Sequence, residues 1–370
     1  MNHPRKQLLF VTDGIFPHAI GGMQRHSALL IEALSHYKEF DITVVHPHDK
    51  QVFDPSLGIK EIKIPFDFNG FYIRRCYDYS KLTHQIIQQY PDALVYAQGF
   101  SVLHGLPETG KRVIINQHGL EPYQSLTFKE KLKTMPMRFM ERYQFRHAAK
   151  VVSLGGKLTH ILEKEVSKPK NKIVVLPNAV NPGEKPARNF AKDKLQLLFV
   201  GRFAFNKGIN ILMEAVQQLN NEGYKNRLIF NLVGKGPLYE QYIKDYRFDN
   251  VNFIGFADDA HLTELYKQND LFVFPTRFEG MPTVVLEAMA AGMPIIVSDT
   301  GATAELVSSD NGYLIETNNV RALKWAIQCF YQLNPDERMA LSERSYKKVT
   351  EKFTWQKVAK MHVDLFHTFG

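Results

Sequence analysis

Two glutamates and an apolar helix carry the clearest chemical signal in the sequence. Residues 284–291 are apolar at every position except Glu287, so a helix there lacks a solvent face and its carboxylate needs a hydrogen-bonding partner. Pro282 suits the first turn of that helix, and free backbone N–H groups at a helix start favour an anion. With Glu279 just before it, this site favours a ligand carrying both phosphates and hydroxyls, such as a sugar nucleotide.

Two cations share one loop earlier in the same half of the chain. Arg202 and Lys207 both lie between a strand predicted at 195–200 and a helix predicted at 209–219. Their side chains, together with N–H groups at the helix start, suit a diphosphate. Solvated loop charges are the alternative interpretation. A glycine turn at Gly234, also after a predicted strand, would let the backbone pass close to a base or ribose.

Two features of the N-terminal half could also contact a ligand. Gly21 and Gly22 lie between a strand predicted at 7–12 and a helix predicted at 24–34, the order of a phosphate-binding loop. An ordinary Gly-Gly turn before a helix is the alternative. His118 follows another predicted strand, where it would contact a sugar or a phosphate. A histidine satisfied by backbone groups in a loop is its alternative role.

The elements around these residues alternate between strands and helices in both halves, which predicts doubly wound α/β domains with mostly parallel sheets. A chain of 370 residues exceeds the usual size of one core. Three prolines and a glycine within 177–186 predict a linker. We therefore predict a Rossmann-like N-terminal domain at 1–180, a second Rossmann-like domain at 181–350, and a helix at 351–370 that packs back on the first domain.

Composition limits the function classes without choosing among them. The formal net charge of +8 fits an anionic substrate or surface, but no motif for nucleic-acid binding is present. Cys76 and Cys329 lie far apart without metal-ligand spacing, which favours a reducing compartment. The N-terminal apolar run is too short for a signal peptide, so we expect a cytoplasmic protein.

The order of these motifs resembles the retaining glycosyltransferases of family 4 (GT4), which have the GT-B fold. The resemblance covers nearly the whole chain and rests on three motifs, namely Gly201-Arg202 with Lys207-Gly208, Val233-Gly234-Lys235-Gly236-Pro237, and Glu279-Gly280 running to Glu287-Ala288-Met289. Lys235 stands where many relatives have an acidic residue. Glu279-Gly280-Met281-Pro282 differs from the common Glu-x-Phe-Gly form, and its proline favours a UDP-sugar over a GDP-sugar.

The resemblance implies two Rossmann-like doubly wound parallel-sheet domains facing an interdomain cleft, with roles for individual residues. Arg202 and Lys207 would hold the donor diphosphate and stabilise the leaving nucleotide. Glu279 and His118 would contact the donor sugar, and Glu287 the ribose. The same resemblance places the donor against these positions: Gly21, Gly22, Arg202, Lys207, Gly234, Gly280, Met281, Pro282, Thr283 and Glu287. It implies no metal and no cofactor beyond the nucleotide-sugar co-substrate, and assigns no general base.

The predicted function is that of a retaining hexosyl- or N-acetylhexosaminyl-transferase. It would move a sugar from a nucleotide donor to a hydroxyl of a glycan, a lipid-linked sugar or a small molecule. A sugar-nucleotide epimerase or phosphorylase on the same fold is one alternative. A non-catalytic subunit that binds a partner glycosyltransferase is another.

A basic segment at 129–150 is the remaining feature. Arg138, Arg142, Arg146 and Lys150 recur at i, i+4 spacing and predict one basic stripe on a helix expected at 137–149. The stripe would contact an anionic membrane at the inner face of the plasma membrane, or a lipid-diphosphate acceptor. A core helix with a solvated basic face is the alternative.

Overall fold

The computed structural model describes residues 5–124, 128–165 and 170–369 of the chain. It divides into two compact units. The N-terminal unit comprises residues 1–178 and 355–370, and the C-terminal unit comprises residues 179–354.

The N-terminal unit is built on a seven-stranded parallel sheet in the order β3-β2-β1-β4-β5-β6-β7. Its strands are β1 (Lys6–Val11), β2 (Phe40–His46), β3 (Lys60–Lys63), β4 (Leu94–Gln98), β5 (Val113–Asn116), β6 (Lys150–Ser153) and β7 (Ile173–Val175). The central strands are runs of buried aliphatic residues because helices cover both faces of a parallel sheet. The chain reverses its direction of travel across the sheet between β1 and β4, so the loops that follow these strands diverge there.

Helices connect these strands in the order expected for a doubly wound domain. They are α1 (Gly22–Ser35), α2 (Tyr72–Gln89), α3 (Leu106–Thr109), α4 (Phe128–His147), α5 (Gly156–Glu165) and, at the end of the chain, α13 (Trp355–His367). The last helix belongs to the N-terminal unit. The Lys6 ammonium donates to the carbonyl oxygen of Phe366 at 2.8 Å, and the rings of Phe40 and Phe366 pack 5.8 Å apart.

The C-terminal unit has a six-stranded parallel sheet in the order β10-β9-β8-β11-β12-β13. Its strands are β8 (Leu195–Val200), β9 (Leu228–Val233), β10 (Val251–Gly255), β11 (Leu271–Phe274), β12 (Ile295–Ser298) and β13 (Gly312–Ile315). Its helices are α6 (Ile209–Leu219), α7 (Tyr239–Asp245), α8 (Asp259–Gln268), α9 (Thr283–Ala290), α10 (Thr303–Leu306), α11 (Val320–Gln332) and α12 (Pro335–Lys352). The reversal in this sheet lies between β8 and β11.

The structure corrects the prediction for the basic segment. The helix α4 begins at Phe128, nine residues before the predicted start at 137, and runs through Pro136. Proline removes one intrahelical hydrogen bond, and here it lies on the exposed side, where water can satisfy the freed carbonyl. The helix ends at His147, so Lys150 is not part of a helical stripe. It begins β6, and its ammonium donates to the carbonyl oxygen of Asn171 at 2.6 Å.

Two further elements differ from the sequence interpretation. Pro282 is the N-cap of α9 rather than a residue of its first turn, with φ −70° and ψ 119°. The edge strand β13 was not predicted, because Gly312 and the polar stretch before it read as a loop. Within the described residues, no helix is both long and apolar enough to span a bilayer.

Candidate active site

The sheet order brings two loops of the C-terminal unit together. The strands β8 and β11 are hydrogen-bonded neighbours at the reversal point and run parallel to each other. The loops that follow them therefore begin next to each other at the same edge of the sheet. One loop carries Arg202 and Lys207, and the other carries Glu279. Lys207 and Glu279 are 72 residues apart in the sequence, and the order of the strands brings them together.

Lys207 and Glu279 form an ion pair at this reversal point. The Lys207 ammonium donates to Oε1 of Glu279, and the two side chains are 24% and 12% exposed. The Thr276 hydroxyl lies 3.2 Å from the same carboxylate oxygen and 3.0 Å from the carbonyl oxygen of Asn206. Both charged ends are therefore held in place while remaining partly open to solvent.

Arg202 completes the charge of this loop. Its side chain is exposed and has no hydrogen-bond or ion-pair partner among the residues that the structure describes. Gly208 ends the same loop with φ 70°, where a Cβ atom would meet the carbonyl oxygen of Pro275 at 1.8 Å. Only glycine fits there, because the two loops touch through their backbones. The local net charge of Arg202, Lys207 and Glu279 is positive, which suits an anionic ligand.

The start of α9 lies in the second of these loops. Its first turn contains no acidic residue and no side-chain cap, so its N–H groups retain their preference for an anion. Gly280, Met281, Pro282 and Thr283 form the approach to the helix. The carbonyl oxygen of Gly280 accepts a hydrogen bond of 2.8 Å from the amide of Ala302, which fixes the turn.

Glu287 lies one turn into α9 and is half-buried. Its carboxylate oxygen Oε2 accepts a hydrogen bond of 2.9 Å from the Tyr266 hydroxyl. The protein thus supplies one of the partners that a carboxylate on an apolar helix needs. Gly234 lies at the end of β9 with φ 127°, and its backbone packs against the carbonyl oxygen of Gly201.

The remaining predicted site residues belong to the N-terminal unit. The helix α1 begins at Gly22, with Gly21 as its N-cap, and both residues are exposed. A Cβ atom added to Gly22 would meet nothing within 4 Å. No contact within the described chain therefore requires glycine at this position.

His118 occupies a constrained turn after β5. Its φ is 60°, an uncommon value for a residue with a side chain, and its amide donates to Oδ1 of Asn116 at 3.1 Å. The ring Nε2 contacts Oε1 of Gln98. Burial, and then His362, lower the pKa of His118 to about 3. His118 is therefore a neutral hydrogen-bonding group near pH 7, not a cation.

Two family models match the chain in sequence. The model "Glycosyltransferase Family 4" matches residues 20–184, and the model "Glycosyl transferases group 1" matches residues 181–348. Together they cover residues 20–348, which include every strand described above except β1. The chain belongs to glycosyltransferase family 4.

Individual relatives agree with this assignment. This chain is 27% identical over 249 residues to an uncharacterised glycosyltransferase of Methanocaldococcus jannaschii, and the alignment covers 62% of each protein. It is 26% identical over 220 residues to a UDP-Gal:α-D-GlcNAc-diphosphoundecaprenol α-1,3-galactosyltransferase of Escherichia coli, covering 55% of this chain and 56% of the relative. The chain thus aligns with less than two thirds of the length of these relatives.

A solved structure shows the same fold along nearly the whole chain. A sucrose-phosphate synthase from Thermosynechococcus elongatus is similar with a TM-score of 0.80 and 20% identity, covering 98% of this chain and 99% of that one. The family 4 chain therefore has the GT-B fold, with two Rossmann-like parallel-sheet domains.

Sequence reasoning missed the residue that joins the two loops of the C-terminal unit. Arg277 is 3% exposed, and its guanidinium donates to Oδ1 of Asn210 at 2.9 Å and to Oδ1 of Asn318 at 2.9 Å. It also donates to the carbonyl oxygen of Phe205 and lies 3.7 Å from the centre of the Phe205 ring. An arginine three residues after a buried strand, between Thr276 and Phe278, is the only sequence signal for this role.

A second residue missed from the sequence lies after β1. Asp13 is largely enclosed, and one of its carboxylate oxygens has no hydrogen-bond partner among the described residues. Burial raises the pKa of Asp13 to about 6. A carboxyl group with a raised pKa at the carboxyl edge of a sheet is a functional candidate. A charged residue shortly after a buried strand was again the only available signal.

Proposed function

We propose that this family 4 protein is a retaining glycosyltransferase that uses a UDP-sugar and needs no metal. The observation that carries the proposal is the loop pair of the C-terminal unit. Lys207, Arg202 and the start of α9 offer two cations and free N–H groups to a diphosphate, while Glu279 offers a carboxylate to sugar hydroxyls. A group that stabilises charge on a departing diphosphate lowers the barrier for transfer.

The nucleoside end of the donor would lie along α9. Glu287 is oriented by the Tyr266 hydroxyl and would accept hydrogen bonds from the two ribose hydroxyls. Gly234 would let the backbone after β9 approach the base. The lean towards uridine comes from the Glu279-Gly280-Met281-Pro282 sequence and from the E. coli relative, which is named for a UDP-sugar donor.

In the N-terminal unit, His118 would act as a neutral hydrogen-bonding group, and the backbone at Gly21 and Gly22 would approach the phosphates. The acceptor would be a hydroxyl of a glycan or of a lipid-linked sugar. The E. coli relative is named for a lipid-diphosphate acceptor, which favours the second class. A peripheral contact with anionic membrane on the cytoplasmic side would then follow from the substrate.

The test is donor binding and turnover on a panel of UDP- and GDP-sugars. We expect a UDP-sugar to bind and to transfer its sugar, with Lys207→Ala reducing turnover by about 100-fold. Lys225→Ala is the matched control, because Lys225 forms an ion pair of 2.7 Å with Asp249 on an exposed surface. Equal turnover by Lys207→Ala and Lys225→Ala would contradict the site assignment.

Two measurements on the same reaction separate the finer claims. Proton NMR of the product should show the anomeric configuration of the donor retained. Turnover should be unchanged by EDTA. Product formation without an acceptor would indicate an epimerase instead, and absence of any sugar-nucleotide binding would leave a non-catalytic subunit.

A further inference from the structure

An apolar groove crosses the N-terminal unit outside the predicted site. It has a volume of about 590 Å³ and lies between α2, α4 and the loop after β4. Its walls are formed mainly by Phe71, Tyr77, Leu103, Phe139, Met140 and Tyr143. A concave surface of this size and composition is typical of a site for an apolar ligand.

The groove is continuous with an exposed apolar stripe on α4. The stripe consists of large side chains at spacings of three and four residues, and these are Phe128, Leu132, Met135, Phe139 and Tyr143. Phe128 and Phe139 are 82% and 62% exposed. Across the groove, Phe71 is 71% exposed. Exposed aromatic residues clustered around one cavity indicate a binding surface rather than chance exposure.

Cations flank this surface. Lys129, Lys131 and Lys133 are exposed on the first half of α4, and Arg142 and Arg146 are exposed on its second half. Arg74 lines the groove from α2. The acidic Glu141 is directed into the protein interior, where burial raises its pKa to about 8. The surroundings of the groove therefore complement an apolar ligand that carries negative charge.

The inner end of the groove approaches the carboxyl edge of the sheet. Leu103 belongs to a buried cluster with Cys76 and Phe100, against which Met140 packs. The next residue before Phe100, Gly99, is close enough to Asp13 that an added Cβ atom would lie 3.0 Å from the carboxylate. The floor of the groove is therefore linked to the loop after β1 through buried residues.

We propose that this groove binds the hydrocarbon chain of a lipid-linked acceptor, with the flanking cations facing the phosphates of that lipid. The inference rests on the proposed function, because it names the acceptor class of the same enzyme. The sequence already predicted a lipid-diphosphate acceptor as one possible ligand of the basic segment, and the apolar groove is what the structure adds. Arg138 donates to the carbonyl oxygen of Pro122 at 2.9 Å and Arg142 pairs with Glu165 at 2.5 Å, so the apolar stripe, not an arginine stripe, dominates the surface.

The test uses radiolabelled farnesyl diphosphate as the probe and inorganic diphosphate as its headgroup control, with binding to the full-length protein measured by equilibrium dialysis. We expect farnesyl diphosphate to bind and inorganic diphosphate to bind at least tenfold more weakly. Phe139→Glu should weaken farnesyl diphosphate binding by about tenfold or more, because it removes an aromatic wall and adds a charge. Phe71→Glu, on the opposite wall, should act similarly and guards against a folding defect in one variant.

Phe128→Glu is the matched control. It makes the same change on the same stripe of α4, but Phe128 does not line the groove. Farnesyl diphosphate binding should change by less than about twofold in this variant. An equal loss in Phe128→Glu and Phe139→Glu, or no binding to wild type, would overturn the proposal.

Two further measurements distinguish the other occupants. Flotation with phosphatidylcholine–phosphatidylglycerol vesicles is measured for wild type, Phe139→Glu and Phe71→Glu. If both variants lose the flotation that wild type shows, and none of the three proteins binds farnesyl diphosphate, then the surface contacts bulk membrane and the groove proposal is wrong. UDP binding is measured on the same variants and should be unchanged. If wild type does not bind UDP, that result counts against the proposed function and leaves the farnesyl diphosphate result standing.

Discussion

The two units present chemically different loops at the carboxyl edges of their sheets. In the C-terminal unit the loops are charged and tied together, by the Lys207–Glu279 ion pair at the surface and by Arg277 beneath it. In the N-terminal unit the corresponding loops carry the neutral His118, with a pKa of about 3, and one enclosed carboxyl group, Asp13, with a pKa of about 6, and they lead towards an apolar groove. Charged loops suit a diphosphate group, which every UDP- or GDP-sugar donor carries. The partly apolar edge of the N-terminal sheet suits a ligand that is recognised by its shape.

The difference also concerns how each loop is held. The loop pair of the C-terminal unit depends on a buried cation with several oxygen partners. The His118 turn is instead held by two neutral amide side chains, because the His118 amide donates to Oδ1 of Asn116 and its ring contacts Oε1 of Gln98. Disrupting the C-terminal loop pair should therefore lower the stability of that unit. Disrupting the His118 turn should instead misplace His118 and slow sugar transfer. Three predictions test this contrast.

The largest effect is expected from Arg277→Met. The substitution leaves the carbonyl oxygen of Phe205 and the side chains of Asn210 and Asn318 without their shared donor in a buried site. We expect the free energy of unfolding of the C-terminal unit to fall by about 3 kcal/mol, because hydrogen bonds to a charged group are lost where water cannot replace them. Urea unfolding followed by circular dichroism measures the change.

Arg344→Met is the control for this prediction. Arg344 is 58% exposed and lies 3.9 Å from Asp310, so its loss should change stability by less than about 0.5 kcal/mol. Affinity for UDP should fall in Arg277→Met and stay constant in Arg344→Met. Equal midpoints for the two variants would show that the loops do not depend on the buried arginine.

Asn116→Ala should have the next largest effect. It removes the oxygen that accepts the 3.1 Å hydrogen bond from the His118 amide and supports its positive φ. We expect sugar transfer to slow about tenfold with UDP affinity unchanged, since a misplaced contact group costs rate more than donor binding. Steady-state kinetics and UDP titration measure the two quantities separately.

Tyr96→Phe is the comparison for Asn116→Ala. The Asn116 amide donates to the Tyr96 hydroxyl at 3.1 Å, and that hydroxyl contacts Nε2 of His362 at 3.1 Å. The substitution therefore removes a neighbouring buried partner but leaves the bond to His118 intact. If Tyr96→Phe slowed transfer as much as Asn116→Ala, general destabilisation would explain both, and the turn would have no separate role.

The sequence contained most of the fold but only part of the candidate site. Buried strands such as Leu271–Phe274 were predicted because continuous apolar runs between turn residues leave few alternatives. Arg202, Lys207 and Glu279 could be proposed because charged residues beside glycines in strand-to-helix loops have a limited set of uses. Tyr266 and Arg277 could not, since their roles depend on which loops the sheet order brings together.

The α4 region also shows that residue spacing in a sequence does not reveal which face of a helix is covered. Its basic residues were visible in the sequence, and a stripe at i, i+4 spacing was a reasonable prediction. Whether a helical face is covered depends on the elements packed against it, which spacing alone does not reveal. The structure leaves Phe128 and Phe139 exposed and gives Arg138 and Arg142 partners within the protein. The chemistry of that face therefore emerged only from packing.

The smallest effect is expected from the pH dependence of the N-terminal unit. Its interior holds His26 against the rings of His118 and Trp355, at centroid distances of 4.7 Å and 5.2 Å. Burial lowers the pKa of His26 well below its usual value, as it does for His118 and for His362, whose pKa falls to about 4. Neither ring nitrogen of His26 has a hydrogen-bond partner among the described residues.

These shifts fix the sign of the effect. The folded histidines stay neutral while the unfolded chain takes up protons below about pH 6.5, so their contribution is complete above that pH and is lost as pH falls towards 4. Asp13 acts in the opposite sense. Its pKa is raised to about 6, so its contribution is present below its unfolded pKa and is lost as pH rises through 6. Glu141, whose pKa burial raises to about 8, acts in the same sense as Asp13. The three histidines outnumber these two carboxyl groups, and stability should therefore fall on acidification.

His26→Phe should reduce this loss. The ring keeps its approximate shape without a group that the unfolded state protonates, so stability at pH 7 should be similar or higher. Between pH 7 and pH 5 the free energy of unfolding should fall by about 1 kcal/mol less than in wild type. His160→Phe, at a side chain that is 75% exposed, should leave the slope unchanged. If the two variants and wild type showed the same slope in urea unfolding, the neutral interior of the N-terminal unit would not be the source of its acid sensitivity, and the contrast with the charged C-terminal loops would lose its energetic basis.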